Sequence, residues 1–194
     1  MFLVNYLFLK KINAAIRAFI FWLHLFILKC IINNGGFMFK KGLIITMICV
    51  LIDQIIKMVV TSNMSLNSTI LVIPNFFSIT YVKNDGAAWS ILSGNTIFLI
   101  LISIVALLII IMYVFKNSDI KTFEFMNYSI LIGGILGNLF DRIKFGSVID
   151  YLDFKIFNYN FPIFNFADMC IVVSIFLLLI YFIKSEAKNA RNNI

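Results

Sequence analysis

Four aspartates in or beside strongly apolar stretches are the side chains of this sequence best suited to chemistry. Asp53 and Asp141 lie within or at the end of apolar runs, and Asp150 and Asp168 lie near the borders of two later ones. Two carboxylates that meet in a poorly hydrated site cannot both ionise, so they share one proton. The ionised member can then take a proton from water while its protonated neighbour hydrogen-bonds the carbonyl oxygen of a scissile bond. Residue types and spacing leave open whether Asp150 and Asp168 meet, but an aspartyl pair is the hydrolytic chemistry available.

Other catalytic groups are scarce in the sequence. The only histidine is His24, and an incidental position is more typical of it than a catalytic one. Cys30, Cys49 and Cys170 all lie inside apolar runs, where free cysteines behave as small hydrophobic residues. There is no CxxC motif and no Cys/His ligand spacing, so neither a disulfide framework nor a metal site is predicted. We also expect no cofactor.

The composition identifies the environment in which such chemistry would work. Hydrophobic residues make up 62% of the 194 residues and charged residues 13%, with a mean hydropathy of +1.01. Soluble domains average about 45–50% apolar and about 25% charged residues, so the chain is predicted to be an integral membrane protein. Its net charge of +7 comes from scattered single and paired cations rather than from a basic stripe. We therefore expect no nucleic-acid partner.

Four apolar runs predict transmembrane helices that would position these acids. The runs cover residues 42–61, 95–115, 125–140 and 166–183. Each is close to the roughly 20 residues that a hydrocarbon core demands. The third run is short, and we expect its helix to continue into Asp141 and Arg142. The predicted fold class is an all-α polytopic membrane protein with four transmembrane helices.

The cations predict the orientation of these spans. Seven of them fall on one side if the four spans alternate in direction: Lys40, Lys41, Lys116, Lys121, Lys184, Lys188 and Arg191. Because short loops rich in Lys and Arg stay in the cytoplasm, that side and the C-terminus are predicted to be cytoplasmic. The two longer connections, residues 62–94 and 141–165, then face outward. They carry Asp85, Asp141, Asp150 and Asp153, so the chemistry is expected at the extracytoplasmic face.

The outward connections also predict a small extracytoplasmic β-sheet. Residues 69–73 and 76–82 are β-branched and aromatic runs on either side of a Pro-Asn turn. Residues 147–153 and 155–159 are predicted as two further extended segments. Asp153 has no apolar context, so we expect it to be a solvated loop residue.

The first 37 residues are predicted as an N-terminal extension, ahead of a four-span domain at residues 38–194. Residues 14–32 are apolar enough for a fifth span, but an arginine, a histidine and a lysine interrupt them. Spanning would also put two more lysines outside, against the charge rule. A dispensable extension or an upstream start is the preferred interpretation, and an interfacial helix is the alternative.

Charged residues inside a span need a reason, because each costs roughly 2.5–3.5 kcal/mol at the centre of a helix. Asp53 and Lys57 stand four residues apart in the first span and therefore share a helix face. Two interpretations are equally consistent with this spacing. The residues form an ion pair that holds two helices together, or they face a substrate.

The third span combines small and polar residues. Its glycines are Gly133, Gly134 and Gly137. They predict a smooth face that another helix, a lipid chain or the substrate can approach closely. Asn138, Asp141 and Arg142 follow at i, i+3 and i+4 spacing and share one helix face. Helix packing and capping explain the glycines well but the polar stripe less well, so a functional role is favoured for the stripe.

Five short segments together carry a family resemblance. They are Asp53-Gln-Ile-Ile-Lys57, Asn84-Asp-Gly-Ala-Ala-Trp-Ser90, Gly137-Asn-Leu-Phe-Asp-Arg142, Gly146-Ser-Val-Ile-Asp-Tyr151 and Phe164-Asn-Phe-Ala-Asp168. In this order they resemble the lipoprotein signal peptidases (signal peptidase II), which are aspartyl endopeptidases of the bacterial plasma membrane. Each segment is weak alone, but together they cover about residues 38–185 on the predicted four-span topology.

The resemblance implies a role for each matched position. Asp150 and Asp168 would form the catalytic dyad. Asn138, Arg142 and Asn165 would position the substrate or orient the dyad. Asp53 and Asn84 would stabilise the site or the outer loop, and Asp141 would have a structural role. Lys57 and Gly86 would be further supporting residues of the site. Trp89 and Tyr151 stand where the family often has Phe, and both keep an aromatic ring.

The resemblance also implies the reaction. The family removes the signal peptide of a prolipoprotein whose lipobox cysteine carries a diacylglyceryl thioether, cutting just before that cysteine, and globomycin is its characteristic inhibitor. The lipid would lie between helices with its head near Arg142. Prolipoproteins and membrane lipids are the expected partners of a monomeric, multi-pass enzyme of the bacterial plasma (inner) membrane, with its active site at the extracytoplasmic face.

Two other classes of protein stay open on the residues alone. A small proton-coupled carrier would account for charged residues in or beside spans. Carriers usually carry internal repeats, and the sequence has none. A non-enzymatic assembly factor would not need two aspartate motifs at matching depth, although residue types do not distinguish an enzyme from a catalytically inactive relative.

Overall fold

The described residues form four helices and one four-stranded antiparallel sheet. The computed structural model describes residues 36–87, 91–117, 119–157 and 159–192. Its elements, in chain order, are α1 Gly36–Asn63, β1 Thr69–Ile73, β2 Phe77–Asn84, α2 Thr96–Lys116, α3 Thr122–Phe145, β3 Val148–Ile156, β4 Tyr159–Asn160 and α4 Phe166–Asn192. The strands follow one another across the sheet in the order β1-β2-β3-β4.

The chain divides into two compact units, residues 1–41 and residues 42–194. Of the first unit only the opening turns of α1 belong to the described residues. The predictions for residues 1–37, including the apolar stretch 14–32, His24 and Cys30, lie outside them and stay predictions. The rest of this description concerns the second unit.

All four predicted apolar runs lie in helices. Three of these helices are long and apolar enough to cross a membrane, over Phe37–Asn63, Thr96–Lys116 and Phe166–Arg191 of the described part of the chain. The helix α3 is not among these three, and its buried side chains include the polar residues Glu124, Asn127, Asn138 and Asp141. As predicted, α3 runs past Asp141 and Arg142; it ends where Gly146 adopts a left-handed φ of 73°.

The glycine face of α3 is filled by the neighbouring helices. A Cβ atom on Gly133 would lie 2.6 Å from a side-chain carbon of α1. One on Gly134 would lie 2.5 Å from the carbonyl oxygen of Ala167 in α4, and one on Gly137 would lie 2.7 Å from Oδ2 of Asp53 in α1. Small residues therefore let three helices approach closely. The helix-packing interpretation is right for these glycines, and the expected approach of a lipid chain or substrate to this face is wrong.

The sheet matches its prediction at β1 and β2 and departs from it at β3. The strands β1 and β2 pair antiparallel on either side of a turn in which Asn75 has a φ of 60°. The strand β3 is continuous where two separate segments were expected, because Phe154 pairs with Phe77 and prolongs the ladder. The expectation that Asp153 is a solvated loop residue is wrong. It lies in β3 and accepts a 2.7 Å hydrogen bond from Thr80 Oγ1.

A small apolar core joins the sheet to the end of α1. It is formed by Val60 of α1, Tyr81 of β2, and Ile149 and Tyr151 of β3, all buried. These last two residues flank Asp150 in the sequence. Since side chains alternate across a strand, burying Ile149 and Tyr151 in this core directs Asp150 to the opposite face of β3.

Candidate active site

Asp150 is a buried carboxylate held by two asparagine side chains. It lies in β3, opposite Val82 of β2, and only 2% of its surface is exposed. Its Oδ1 accepts a 2.6 Å hydrogen bond from Asn165 Nδ2, and its Oδ2 accepts one of 3.0 Å from Asn84 Nδ2 at the end of β2. The carboxylate therefore has a fixed orientation.

Asp168 lies in the first turn of α4, where it has two tasks. Its Oδ2 accepts a 3.1 Å hydrogen bond from the backbone N–H of Asn165, whose own Oδ1 accepts one of 3.0 Å from the Asp168 N–H. This reciprocal pair is a capping box that starts the helix. The other oxygen, Oδ1, accepts a 2.7 Å bond from Asn138 Nδ2 of α3. The capping of α4 by Asp168 thus coexists with a contact to a second element.

The two acids meet at one residue. Asn165 is fully buried, and it donates through its side chain to Asp150 and through its backbone to Asp168. Burial raises the pKa of Asp150 from 3.8 to about 7, and the negative charge of Asp168 acts in the same direction. Two acids that influence each other in this way titrate as a pair rather than as separate groups.

A second pair of contacts fixes the Asn138 amide. Its Oδ1 accepts a 3.1 Å hydrogen bond from Asn165 Nδ2 and another of 3.1 Å from Lys57 Nζ. Because both donors face Oδ1, the opposite edge of the amide, Nδ2, is the one directed at Asp168. Asn138 and Asn165 are thus linked to each other and to both acids.

The predicted ion pair of α1 forms and extends to α3. Lys57 Nζ lies 2.8 Å from Asp53 Oδ2 and 2.8 Å from Asp141 Oδ2. Exposure is 2% for Lys57 and 0% for both aspartates. The interpretation of an ion pair that holds helices together is therefore right, and all three side chains are buried from solvent.

Both aspartates of this cluster also bind other elements. Asp53 Oδ1 accepts a 3.1 Å hydrogen bond from the Ala167 N–H at the start of α4, and Asp141 Oδ2 accepts one of 3.3 Å from the Ile149 N–H in β3. The cluster thus locks the segments that carry Asp150 and Asp168 to α1 and α3.

Sequence reasoning gave no role to Gln54, although it stands between Asp53 and Lys57 in a quoted segment. Its Nε2 donates to Asp141 Oδ1 at 3.0 Å and to Asp53 Oδ2 at 3.1 Å, so it bridges the same two acids as the lysine does. Tyr151 is a second missed residue. Its hydroxyl accepts a 3.1 Å hydrogen bond from the Phe166 N–H at the start of α4.

Arg142 joins the end of α3 to the segment that follows β2. Its Nη2 donates to the carbonyl oxygen of Gly86 at 3.1 Å, while its buried Nε has no partner within the described residues. The Gly86 N–H in turn donates to Asn84 Oδ1 at 2.9 Å. Asn84 therefore contacts both the outer segment and Asp150. Trp89 lies outside the described residues.

Among the residues that the structure describes, no group of three or more His, Cys, Asp or Glu side chains is placed to hold a metal ion. Cys49 and Cys170 are free thiols. The expectations of no metal and no cofactor stay predictions.

The chain is similar to known membrane proteins in sequence and in fold. A family model described as signal peptidase (SPase) II matches residues 45–184. Lipoprotein signal peptidases of Staphylococcus aureus strains JH9 and Newman are 35% identical to it over 153 residues, which are 79% of this chain and 94% of each relative.

Two solved structures, each described as a bacterial membrane enzyme determined by the in meso method, share the fold. One, at 2.3 Å resolution, has a TM-score of 0.72 and 35% sequence identity and covers 77% of this chain and 91% of its own. The other, at 1.9 Å resolution, has a TM-score of 0.68 and 36% identity and covers 75% of this chain and 94% of its own.

Proposed function

Because the chain belongs to the signal peptidase II family of membrane proteases, we propose that it removes signal peptides from prolipoproteins with a water molecule activated by Asp150 and Asp168. The observation that carries the proposal is the convergence of both carboxylates on the buried Asn165. Membership in a protease family sets the carrier and assembly-factor alternatives aside.

The substrate follows from the relatives, which are named lipoprotein signal peptidases. We assign to this chain prolipoproteins whose lipobox cysteine carries a diacylglyceryl group, cut at the bond before that cysteine. The unpaired Nε of Arg142 is a hydrogen-bond donor beside the acids. Since a guanidinium binds ester and peptide carbonyl oxygens through its N–H groups, Arg142 is suited to hold the lipid head or the peptide next to the cleaved bond.

The chemistry uses the two protonation states of the pair. The ionised carboxylate takes a proton from the water, whose oxygen attacks the scissile carbonyl carbon. The protonated carboxyl group hydrogen-bonds the carbonyl oxygen and stabilises the charge that develops there. When the tetrahedral intermediate collapses, the proton taken from water passes to the leaving amine. Asn84, Asn138 and Asn165 keep both carboxyl groups in place through these steps.

We also propose that α3 is a fourth membrane span. With 24 residues at about 1.5 Å each, it is long enough to cross a bilayer core. Its polar residues, including Asn138 and Asp141, are buried in protein, and its outward side chains include Met126 and Phe140. The site would then face the extracytoplasmic side of the bacterial inner membrane, and the C-terminus would lie in the cytoplasm. We further propose that the enzyme is a monomer. Reporter fusions after residues 94, 117 and 192 test this orientation.

The decisive experiment replaces each acid separately. Asp150→Asn and Asp168→Asn should each lower cleavage of a lipidated precursor, followed as a gel shift, by at least about 1,000-fold. Asp153→Asn is the matched control, because Asp153 lies in the same strand and bonds Thr80 instead of the site. Its cleavage rate should stay within about twofold. Retained cleavage in a folded Asp150→Asn or Asp168→Asn enzyme would contradict the proposal.

A further inference from the structure

The Asn138 amide connects Asp168 to a charge that the reaction as described does not use. Asn138 Nδ2 lies 2.7 Å from Asp168 Oδ1, and Asn138 Oδ1 lies 3.1 Å from Lys57 Nζ. The lysine ammonium is thus one amide away from an acid of the pair. Without the Lys57 ammonium as a donor to Asn138 Oδ1, the orientation of the amide would depend on the hydrogen bond from Asn165.

Lys57 is itself held rigidly. Asp53 from its own helix and Asp141 from α3 both lie 2.8 Å from its ammonium, and 2% of its surface is exposed. A buried ammonium in so fixed a position acts through a low-dielectric medium, in which its field on nearby carboxylates is strong. Burial raises the pKa of Asp150, and the positive charge of Lys57 acts against this effect.

We propose that Lys57 is a positioning residue of the reaction: its ammonium fixes the Asn138 amide that binds Asp168 and sets the lower end of the pH range in which the acid pair works. The inference rests on the proposed function of that pair. Other charged groups facing the pair are Asp53 on α1, and Asp141 and Arg142 on α3; Tyr151 is the titratable neighbour on β3.

The test must remove the lysine without adding net negative charge to the buried cluster, because an uncompensated buried charge is strongly destabilising. Lys57→Gln combined with Asp141→Asn keeps the formal net charge of the three side chains at −1. Cleavage of a lipidated precursor is measured from pH 4.5 to 9. We expect kcat to fall about 10- to 100-fold, as for loss of an orienting partner, with KM within about twofold. The acid limb of the pH–rate profile should move up by about one pH unit.

Two further variants serve as controls for the shift of the acid limb. Asp141→Asn alone removes a negative charge and keeps Lys57, so its acid limb should not move upward. Lys57→Arg keeps the positive charge, so its acid limb should stay within about 0.3 pH unit while kcat falls, because the bulkier guanidinium shifts the amide. If the Lys57→Gln, Asp141→Asn variant does not fold, the Lys57→Gln, Asp53→Asn variant is measured instead, because it has the same net charge.

Two outcomes overturn the inference. An acid limb that stays in place, with kcat lowered only in proportion to the unfolded fraction measured by thermal unfolding, would make Lys57 purely structural. A raised KM at unchanged kcat would make it a substrate contact. The proposed function itself is tested by different variants. Cleavage by folded Asp150→Asn or Asp168→Asn enzyme would reject the acid pair, whereas the Lys57 variants test only the positioning role.

Discussion

The two ends of α3 both bury polar side chains, but they use them differently. Near its start, Asn127 Nδ2 and Ser129 Oγ donate to backbone carbonyls four residues earlier in the same helix, and Asn127 Oδ1 has no partner within the described residues. Near its end, Asn138 and Asp141 bind α1, α4 and β3. Burial of a polar group is therefore common to both ends. The two ends differ in the number of separate elements that these side chains join.

The sharpest test of this contrast replaces an asparagine at each end with leucine. Asn138→Leu leaves Lys57 and Asp168 without their shared amide, so cleavage should fall by about 100-fold or more. Asn127→Leu removes an orphan oxygen from a buried position. Its cleavage rate should stay within about threefold and its melting temperature should be unchanged or higher. A comparable loss of activity in both folded variants would contradict the distinction between the two ends.

A smaller effect is expected when a methyl group is added at each end. In Gly137→Ala the new carbon meets the Asp53 carboxylate, which binds Lys57. We expect about 10-fold slower cleavage, measured per folded molecule. The matched change is Gly42→Ala in α1, which packs against the start of α3. Its new carbon meets the Phe125 ring and a serine hydroxyl. These side chains can reorient, so Gly42→Ala should lower the melting temperature by overpacking while activity per folded molecule stays within about twofold.

The pH dependence of stability should differ between the acid site and the rest of β3. Asp150 has a pKa of about 7 when folded and an ordinary value of 3.8, so the folded state binds its proton more tightly. This contribution is fully present below about pH 4 and is lost as the pH rises through about 7. The melting temperature should therefore fall less between pH 5 and pH 8 in Asp150→Asn than in the unaltered enzyme. Asp153→Asn should keep the original slope; equal slopes in all three proteins would contradict the assignment.

The smallest effects are expected from single hydroxyl groups. Tyr113→Phe removes the 2.9 Å hydrogen bond to Glu124 Oε1 near the start of α3, which costs about 1 kcal/mol. Thermal unfolding should register this as a few degrees, with unchanged cleavage per folded molecule. Tyr151→Phe leaves the Phe166 N–H at the start of α4 unpaired. Here we expect a similar loss of stability together with a cleavage rate reduced about two- to fivefold, because the helix that carries Asp168 is loosened.

Local spacing was enough to predict the contacts that lie along one helix. The four-residue interval from Asp53 to Lys57 predicted a shared helix face, with their ion pair as one of two interpretations, and the stripe from Asn138 to Asp141 predicted another shared face. Helical periodicity places such residues together whatever surrounds them. The turn between β1 and β2 was predictable for the same reason, since its residues are adjacent in sequence.

Contacts between distant segments were not predictable in this way. Spacing could not decide between a helix, a lipid chain and the substrate as the partner of the α3 glycines, because only packing determines that Ala167 and Asp53 fill their face. Gln54 was overlooked because its function is to bridge Asp53 with Asp141, an acid 87 residues away. Nor could spacing show that Asn165 touches both acids. The resemblance to a known family supplied what periodicity could not.

The reciprocal hydrogen bonds between Asn165 and Asp168 both start α4 and orient the Asp168 carboxyl group. Every other segment that lines the pair comes earlier in the chain. The ribosome therefore synthesises Asn84, Asn138 and Asp150 before the segment that orients Asp168 exists. A partly synthesised chain that ends before α4 lacks the second acid and the hydrogen bonds that orient it.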